Sequence, residues 1–122
     1  MTPTVLFVDD SSTIITTVTI ALEDEPFQLV TANDGEQALR KIRGGLRPDG
    51  IVTDLNMPGV GGLDLIREVK TLLPGTPILV MSVETLQLPR DEARRLGAAG
   101  WIVKPIGREA LLGAIRHVLP KR

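Results

Sequence analysis

Five short apolar segments, separated by segments with a helical spacing of apolar residues, constrain the fold of this chain more than any other feature. The apolar segments are rich in Val and Ile and mostly lack strict alternation, which is typical of strands covered on both faces. The segments between them are long enough to form crossover helices. The five apolar segments are TVLFVD (4–9), FQLVTA (27–32), GIVTD (50–54), PILVMS (77–82) and GWIVKP (100–105).

This alternation predicts an α/β fold, a doubly wound (βα)5 arrangement of the flavodoxin-like type, in which one parallel sheet carries helices on both faces. Right-handed crossovers and the size of the chain favour the strand order 2-1-3-4-5. The length of 122 residues predicts a single domain over residues 1–122.

The first helix is predicted against local propensity. Residues 14–20 form an unbroken run rich in β-branched residues, IITTVTI, which favours a strand. We expect a helix because two parallel strands need a crossover, and because Ser11 or Ser12 can cap it. The second helix is clearer, since Asp34 is placed to cap it and Gly44 to end it.

Composition excludes several classes of protein. The chain contains no cysteine, which excludes disulfides, thiolate metal sites and cysteine nucleophiles. Its formal net charge of −1 gives no electrostatic basis for binding nucleic acid or an anionic membrane. No signal sequence is recognisable, and no apolar run approaches the ~20 residues that cross a bilayer. We therefore expect a cytoplasmic protein without nucleic-acid or membrane partners.

Four of the five predicted strands end in polar residues. Asp9 and Asp10 follow the first strand, Asp54 ends the third, Ser82 the fourth and Lys104 the fifth. A single Asp after a strand is most often a turn residue. The carboxyl ends of parallel strands share one edge, however, so three carboxylates, a hydroxyl and an ammonium should converge there.

This set of groups suits phosphoryl transfer. Three carboxylates at hydrogen-bonding distance need a counter-charge, and Mg²⁺ is the abundant cation that prefers oxygen ligands. A metal, the Lys104 ammonium and the Ser82 hydroxyl can together stabilise the peripheral oxygens of a transferring phosphoryl group. Asp54 lies between the other groups in the predicted sheet, which makes it the best candidate for a nucleophile that forms an aspartyl phosphate.

Four motifs, in order along the whole chain, match one known family: VDDS (8–11), TDLNMPG (53–59), VMSVE (80–84) and GWIVKP (100–105). With them the chain resembles bacterial response-regulator receiver domains, which have the CheY-like fold, and among these the single-domain chemotaxis regulators. The resemblance implies a two-component signalling protein that accepts a phosphoryl group from a histidine kinase or a histidine phosphotransfer protein. Such a protein is a phosphoacceptor rather than an enzyme, and catalyses only its own phosphorylation and dephosphorylation.

The resemblance also assigns the residues of the site. It makes Asp54 the phosphoacceptor and Asp9 and Asp10 ligands of Mg²⁺, with Asp54 and the backbone carbonyl of Asn56 as further metal ligands. Lys104 is the residue that contacts the phosphoryl group. The two acids after the first strand are then a cation site.

A second group of residues is implied to carry the signal. Ser82 matches the switch hydroxyl and Trp101 the switch aromatic, and the Lys104–Pro105 bond resembles the cis peptide of the family. Phosphorylation would reshape the surface formed by the fourth helix, fifth strand and fifth helix. A downstream protein such as a flagellar motor switch protein is the implied partner. We expect a monomer, with a dimer through the same surface as the alternative.

Four residues depart from the family pattern, and one of them, Ile106, replaces the Phe that commonly follows the Lys-Pro pair. Gly61 stands where Asp is usual, which removes a capping side chain from the third helix. Val83 stands where a small residue is favoured, which narrows access to the phosphoryl pocket. Pro89 falls inside the usual fourth helix, so we expect that helix to be short and to begin near Pro89, after a longer loop over residues 84–88.

Competing functions fit the sequence less well. A phosphatase of the haloacid-dehalogenase type carries a D-x-D pattern, whereas Asp9 and Asp10 are adjacent. A flavodoxin-like FMN carrier needs an uncharged phosphate loop at that position. A phosphorylation-independent interaction module would be expected to lack a key residue, and none is missing. A receiver domain taken from a larger regulator with a separate output domain remains an alternative.

Overall fold

The computed structural model describes residues 2–57, 59–83, 87–104 and 107–119. Within them, strands and helices alternate along the chain. The strands are β1 (Thr4–Val8), β2 (Gln28–Ala32), β3 (Gly50–Asp54), β4 (Ile78–Ser82) and β5 (Gly100–Val103). The helices are α1 (Ser12–Leu22), α2 (Gly35–Arg43), α3 (Gly62–Leu72), α4 (Gln87–Arg95) and α5 (Arg108–Val118).

All neighbouring strands pair in parallel, in the order β2-β1-β3-β4-β5. This confirms the predicted fold class and strand order. The order changes direction at β1, so the carboxyl ends of β1 and β3 lie side by side, with Val8 opposite Thr53. That edge is where an open α/β sheet offers a crevice for ligands.

Alternate side chains of each strand pack on opposite faces of the sheet, which gives two aliphatic core clusters. Leu6 and Val8 of β1 belong to the cluster covered by α2, α3 and α4. Val5 and Phe7 belong to the cluster covered by α1 and α5. Burial on both faces explains why the strand segments lack alternation in the sequence. In the described part of the chain, no helix has both the length and the apolar composition to cross a bilayer.

The first two helices begin at the predicted caps. Ser11 Oγ accepts a hydrogen bond from the Ile14 N–H at 3.2 Å, and Asp34 Oδ1 accepts one from the Gln37 N–H at 2.7 Å. The β-branched segment is therefore helical, as predicted. Burial of Val18 against the sheet explains how tertiary packing overrides strand propensity here.

The fourth helix begins slightly earlier than predicted. It starts at Gln87, so Pro89 lies in its first turn, where the missing N–H has no intrahelical acceptor to lose. The prediction of a short helix is confirmed, since α4 has nine residues. The predicted loop over 84–88 is wrong at its end, because residues 87 and 88 are helical, and residues 84–86 lie outside the described residues.

Candidate functional site

One ammonium group bridges two buried carboxylates at the carboxyl edge of the sheet. Asp9 follows β1 and Asp54 ends β3, and these strands are neighbours. Lys104, directly after β5, places its Nζ atom 2.9 Å from Asp9 Oδ2 and 3.3 Å from Asp54 Oδ1. Asp9 is fully buried and Asp54 is 8% exposed. The structure therefore brings together three of the residues that the sequence predicted.

Backbone N–H groups fix the orientation of both carboxylates. The Ser11 N–H donates to Asp9 Oδ1 and the Leu55 N–H donates to Asp54 Oδ1, each at 2.9 Å. Among the described residues, none donates a hydrogen bond to Asp54 Oδ2. Oδ1 is therefore occupied, and Oδ2 is the oxygen of Asp54 that is available for chemistry.

A third carboxylate completes an acidic cluster. Asp10 is exposed, and one oxygen from each of Asp9, Asp10 and Asp54 lies within 4.8 Å of the others. Among the described residues three carboxylates face one ammonium, so this part of the cluster lacks positive charge. Hard oxygen donors and one exposed ligand that leaves room for water are what Mg²⁺ prefers. The residues present therefore fit a divalent cation.

The pKa shifts of Asp54 and Lys104 also favour a bound cation in this pocket. Burial raises the pKa of the Asp54 carboxyl, and the charge of Asp9 raises it further, while Lys104 and the Leu55 N–H act against this rise. Burial alone would lower the pKa of Lys104, but its hydrogen bond to Asp9 and the charge of Asp54 outweigh burial and raise that pKa. Lys104 thus stays cationic, and its charge does not fully compensate the ionised form of Asp54.

Ser82 and Asn56 lie beside this pocket. Ser82 is the last residue of β4 and is fully buried, and its carbonyl accepts the Lys104 N–H at 2.8 Å. Asn56 is exposed in the loop that follows Asp54. The switch role of Ser82 and the carbonyl ligand at Asn56 stay predictions.

Trp101 lies on the face of the sheet covered by α2, α3 and α4. It is partly buried against that core cluster and pairs with Val80 in the β4–β5 register. Its assignment as the switch aromatic stays a prediction. The predicted cis bond between Lys104 and Pro105 lies outside the described residues. Val83 is 69% exposed, and its effect on access to the pocket is also a prediction.

The start of α3 packs directly on the peptide of Asp54. A Cβ atom at Gly62 would lie 2.5 Å from the Asp54 carbonyl oxygen and 2.8 Å from Leu55 Cα. The Gly62 N–H donates to the Leu55 carbonyl at 2.8 Å. Gly61 occupies the N-cap position without a side-chain cap, as predicted. Sequence reasoning missed the role of Gly62, and the adjacent pair of glycines was its only signal.

Comparison with known proteins gives consistent results. A family profile described as response regulator receiver domain matches residues 5–116. The transcriptional regulatory protein PrrA of Mycobacterium bovis is 32% identical over 120 residues, which cover 98% of this chain and 51% of PrrA. The DNA-binding response regulator MtrA of Mycobacterium leprae is 33% identical over 112 residues, which cover 92% of this chain and 49% of MtrA.

A solved structure matches over its full length. The chemotaxis protein CheY4 of Vibrio cholerae is 37% identical with a TM-score of 0.91, over 98% of this chain and 100% of the CheY4 chain. By contrast, the chain spans only about half the length of the curated relatives PrrA and MtrA. The family match covers nearly all of the sequence and includes every residue of the carboxylate pocket, and so this chain belongs to the response regulator receiver domain family of two-component signalling proteins.

Proposed function

We propose that this domain accepts a phosphoryl group on Asp54 from the phosphohistidine of a histidine kinase or a histidine phosphotransfer protein. The observation that carries this proposal is the bridge from Lys104 Nζ to Asp9 and Asp54, at 2.9 and 3.3 Å, inside an acidic cluster that lacks positive charge. A structural ion pair would balance its charges. A cluster left with excess anionic oxygens is suited to recruiting a cation and a phosphoryl group.

Different residues of the chain have different roles in the phosphoryl transfer. The Leu55 N–H and Lys104 hold Asp54 Oδ1, so Oδ2 attacks the phosphorus atom. A bond forms between Oδ2 and phosphorus while the bond from phosphorus to the imidazole nitrogen breaks, and its electron pair returns to that nitrogen. Lys104 stabilises the charge that develops on the phosphoryl oxygens. Hydrolysis of the aspartyl phosphate resets the domain.

A divalent metal is part of the proposal. Asp9, Asp10 and Asp54, with the backbone carbonyl of Asn56, would hold Mg²⁺. When bound, Mg²⁺ supplies positive charge that neutralises the carboxylates and polarises phosphoryl oxygens.

The output of the domain is proposed to be a change in the surface formed by α4, β5 and α5. Ser82 lies between the pocket and this surface, because its carbonyl is bonded to the Lys104 N–H and its strand pairs with β5. The added phosphoryl charge would draw the Ser82 hydroxyl inward and let Trp101 turn in. The receiving partner would then select the phosphorylated population.

The pathway has two candidates. The full-length match to a chemotaxis protein supports a single-domain regulator that binds a partner such as a flagellar motor switch protein. The match to PrrA and MtrA, each about twice as long, supports the receiver part of a DNA-binding regulator. The reading frame downstream of Arg122 separates these two candidates.

The proposal is tested by phosphorylation with acetyl phosphate, followed by intact-protein mass spectrometry. The wild-type protein is expected to gain one phosphoryl group in the presence of Mg²⁺ and none in the presence of EDTA. Asp54→Asn removes the nucleophilic oxygen and should abolish labelling.

Asp49→Asn is the matched control, because Asp49 adjoins the other end of β3, away from the pocket. It should be labelled like the wild-type protein. Undiminished labelling of the Asp54 variant would refute the assignment of Asp54 as the acceptor, and absence of labelling of the wild-type protein would favour a phosphorylation-independent interaction module.

A further inference from the structure

Thr53 is a fully buried polar residue that no step of the proposed transfer uses. It precedes Asp54 in β3, and in the register of the sheet it pairs with Val8 of β1 and with Val80 of β4. Both valines belong to the core cluster covered by α2, α3 and α4. Paired residues of a parallel sheet share a face, so the Thr53 side chain lies where the pattern of this core favours Val. A hydroxyl in that position costs free energy unless it forms a hydrogen bond.

The Thr53 hydroxyl forms this bond with the backbone of the next residue. Thr53 Oγ1 donates to the Asp54 carbonyl oxygen at 2.9 Å, in the protein interior. The same carbonyl faces the start of α3, where a Cβ atom at Gly62 would lie 2.5 Å from the oxygen. The carbonyl of Asp54 is therefore held by a side-chain donor and confined by close backbone packing.

The direction of this carbonyl matters because it shares a peptide unit with the Leu55 N–H. A trans peptide unit is planar, so its C=O and N–H groups point in opposite directions and turn together. The Leu55 N–H donates to Asp54 Oδ1 at 2.9 Å. A rotation that carries the carbonyl away from the Thr53 hydroxyl thus also carries the N–H away from the carboxylate.

Polarisation of the peptide acts in the same direction. A hydrogen bond to a carbonyl oxygen draws electrons toward it and makes the N–H of the same unit a stronger donor. Thr53 therefore both orients and strengthens the hydrogen bond from Leu55 to Asp54 Oδ1. Two hydrogen bonds of 2.9 Å, one at each end of a single peptide unit, connect the Thr53 hydroxyl to the carboxylate.

We propose that Thr53 is a positioning residue for phosphoryl transfer, whose hydroxyl holds the Asp54–Leu55 peptide so that Oδ1 stays bonded and Oδ2 stays directed at the phosphorus atom. Thr53 acts through this peptide and not by contact with the phosphoryl group. The inference rests on the proposed function for the reaction that Thr53 serves, and it adds a residue that determines which oxygen of Asp54 reacts.

The first test measures the orientation of the peptide without any phosphoryl donor. Amide hydrogen exchange is followed by NMR in EDTA for the wild-type protein, Thr53→Val and Thr53→Ser. Thr53→Val keeps the shape of the side chain and removes the donor, so exchange at Leu55 should become about fivefold faster, beyond any change at Val52 in the same strand. Thr53→Ser keeps the hydroxyl and should exchange like the wild-type protein.

The second test measures the rate of labelling by acetyl phosphate at a fixed concentration in the presence of Mg²⁺. Thr53→Val should be labelled about fivefold more slowly, because its carboxylate is less often in the reactive orientation. Thr53→Ser should retain most of the wild-type rate. Thr53→Ala, compared with Thr53→Ser, isolates the hydroxyl a second time with smaller side chains, and it replaces Thr53→Val if that variant does not fold.

Thr76→Val is the matched control. Thr76 Oγ1 also donates to a backbone carbonyl, that of Pro48 at 3.4 Å, and both residues precede their strands at the opposite edge of the sheet. The substitution removes the same kind of hydrogen bond away from the pocket, so exchange at Leu55 and the labelling rate should stay unchanged. Circular dichroism checks that every variant is folded.

The inference is overturned if Thr53→Val shows no acceleration at Leu55 beyond that at Val52, or if its labelling rate equals that of the wild-type protein. Losses in Thr53→Ser as large as those in Thr53→Val would also overturn it, because they would assign the effect to packing of the methyl group. The exchange test needs no phosphoryl donor, and labelling of the wild-type protein tests the proposed function by itself. Failure of the inference is therefore distinguishable from failure of the proposed function.

Discussion

Strand β3 has an aspartate at each end, and the two aspartates have opposite surroundings. Asp49, just before the strand, accepts the Thr4 N–H on Oδ2 at 2.8 Å, and its own N–H donates to the Thr4 carbonyl at 2.7 Å. Asp54, at the other end, lies among two further carboxylates and the ammonium of Lys104. Asp49 thus links β3 to the start of β1 by hydrogen bonds, whereas Asp54 adds a negative charge to a cluster of carboxylates.

An aspartate at the end of a strand is therefore not by itself evidence of a functional site. Asp49 is satisfied by a neutral backbone donor, so its carboxylate needs no further partner. At the opposite end of the strand, burial raises the pKa of Asp54 and the nearby Asp9 adds to the rise. Unbalanced charge, more than the presence of a carboxylate, distinguishes the end of the strand that carries the proposed site, here called the functional end, from the structural end.

The largest effect should follow from removing the cation at the functional end. Lys104→Met leaves Asp9 and Asp54 without their ion-pair partner, and breaking a buried pair costs about 3 kcal/mol of unfolding free energy. Urea denaturation in EDTA measures this loss. Added Mg²⁺ should recover part of it, because either cation counters the same carboxylates. A variant of unchanged stability would show that the bridge is not important for folding.

The next effect concerns metal affinity. Asp9→Asn removes one anionic ligand and should weaken Mg²⁺ binding by about tenfold or more, measured by isothermal titration calorimetry. Asp49→Asn serves as the control and should bind Mg²⁺ like the wild-type protein. Equal affinity of both variants would remove the distinction between the two ends of the strand.

The smallest effects are on stability at the two ends of β3, and they should differ in sign. Asp49→Ala leaves the Thr4 N–H without its side-chain acceptor and should destabilise the protein by about 1 kcal/mol. Asp54→Asn, studied in EDTA, should instead stabilise the protein at neutral pH, because it removes a carboxylate whose ionisation burial disfavours.

The stabilisation by Asp54→Asn should depend on pH. A carboxyl pKa raised in the folded state means that ionisation costs folding free energy, and this cost is present in full above the raised pKa. The cost disappears as the pH falls below the ordinary value of 3.8, where Asp54 is protonated in both states. The gain in urea midpoint should therefore vanish at about pH 3. A gain that persists there would show that packing, and not charge, is its cause.

The sequence predicted the fold closely because the pattern of buried strands and crossover helices leaves few arrangements. The first helix was predictable only from connectivity, since the local propensity of residues 14–20 favours a strand. The start of α4 was misplaced by two residues, because Pro89 is compatible with any position in a first turn.

The side chains of the site could be predicted from the sequence, but the backbone hydrogen bonds that orient them could not. Strand ends placed Asp9, Asp54 and Lys104 at one edge, and the structure shows them in contact. The N–H groups of Ser11 and Leu55 carry no residue-specific signal, so their hydrogen bonds to the carboxylates required coordinates.

The close packing of Gly62 on the carbonyl of Asp54 limits how this domain can change during evolution or in a laboratory library. A methyl group at position 62 would lie 2.5 Å from the carbonyl oxygen of Asp54, so any other amino acid there would displace Asp54, the proposed phosphoacceptor. Exposed positions that follow the strand ends, such as Asn56 and Val83, have room for other side chains. Variation is therefore expected at these exposed positions, while the packing of Gly62 holds the proposed acceptor in place.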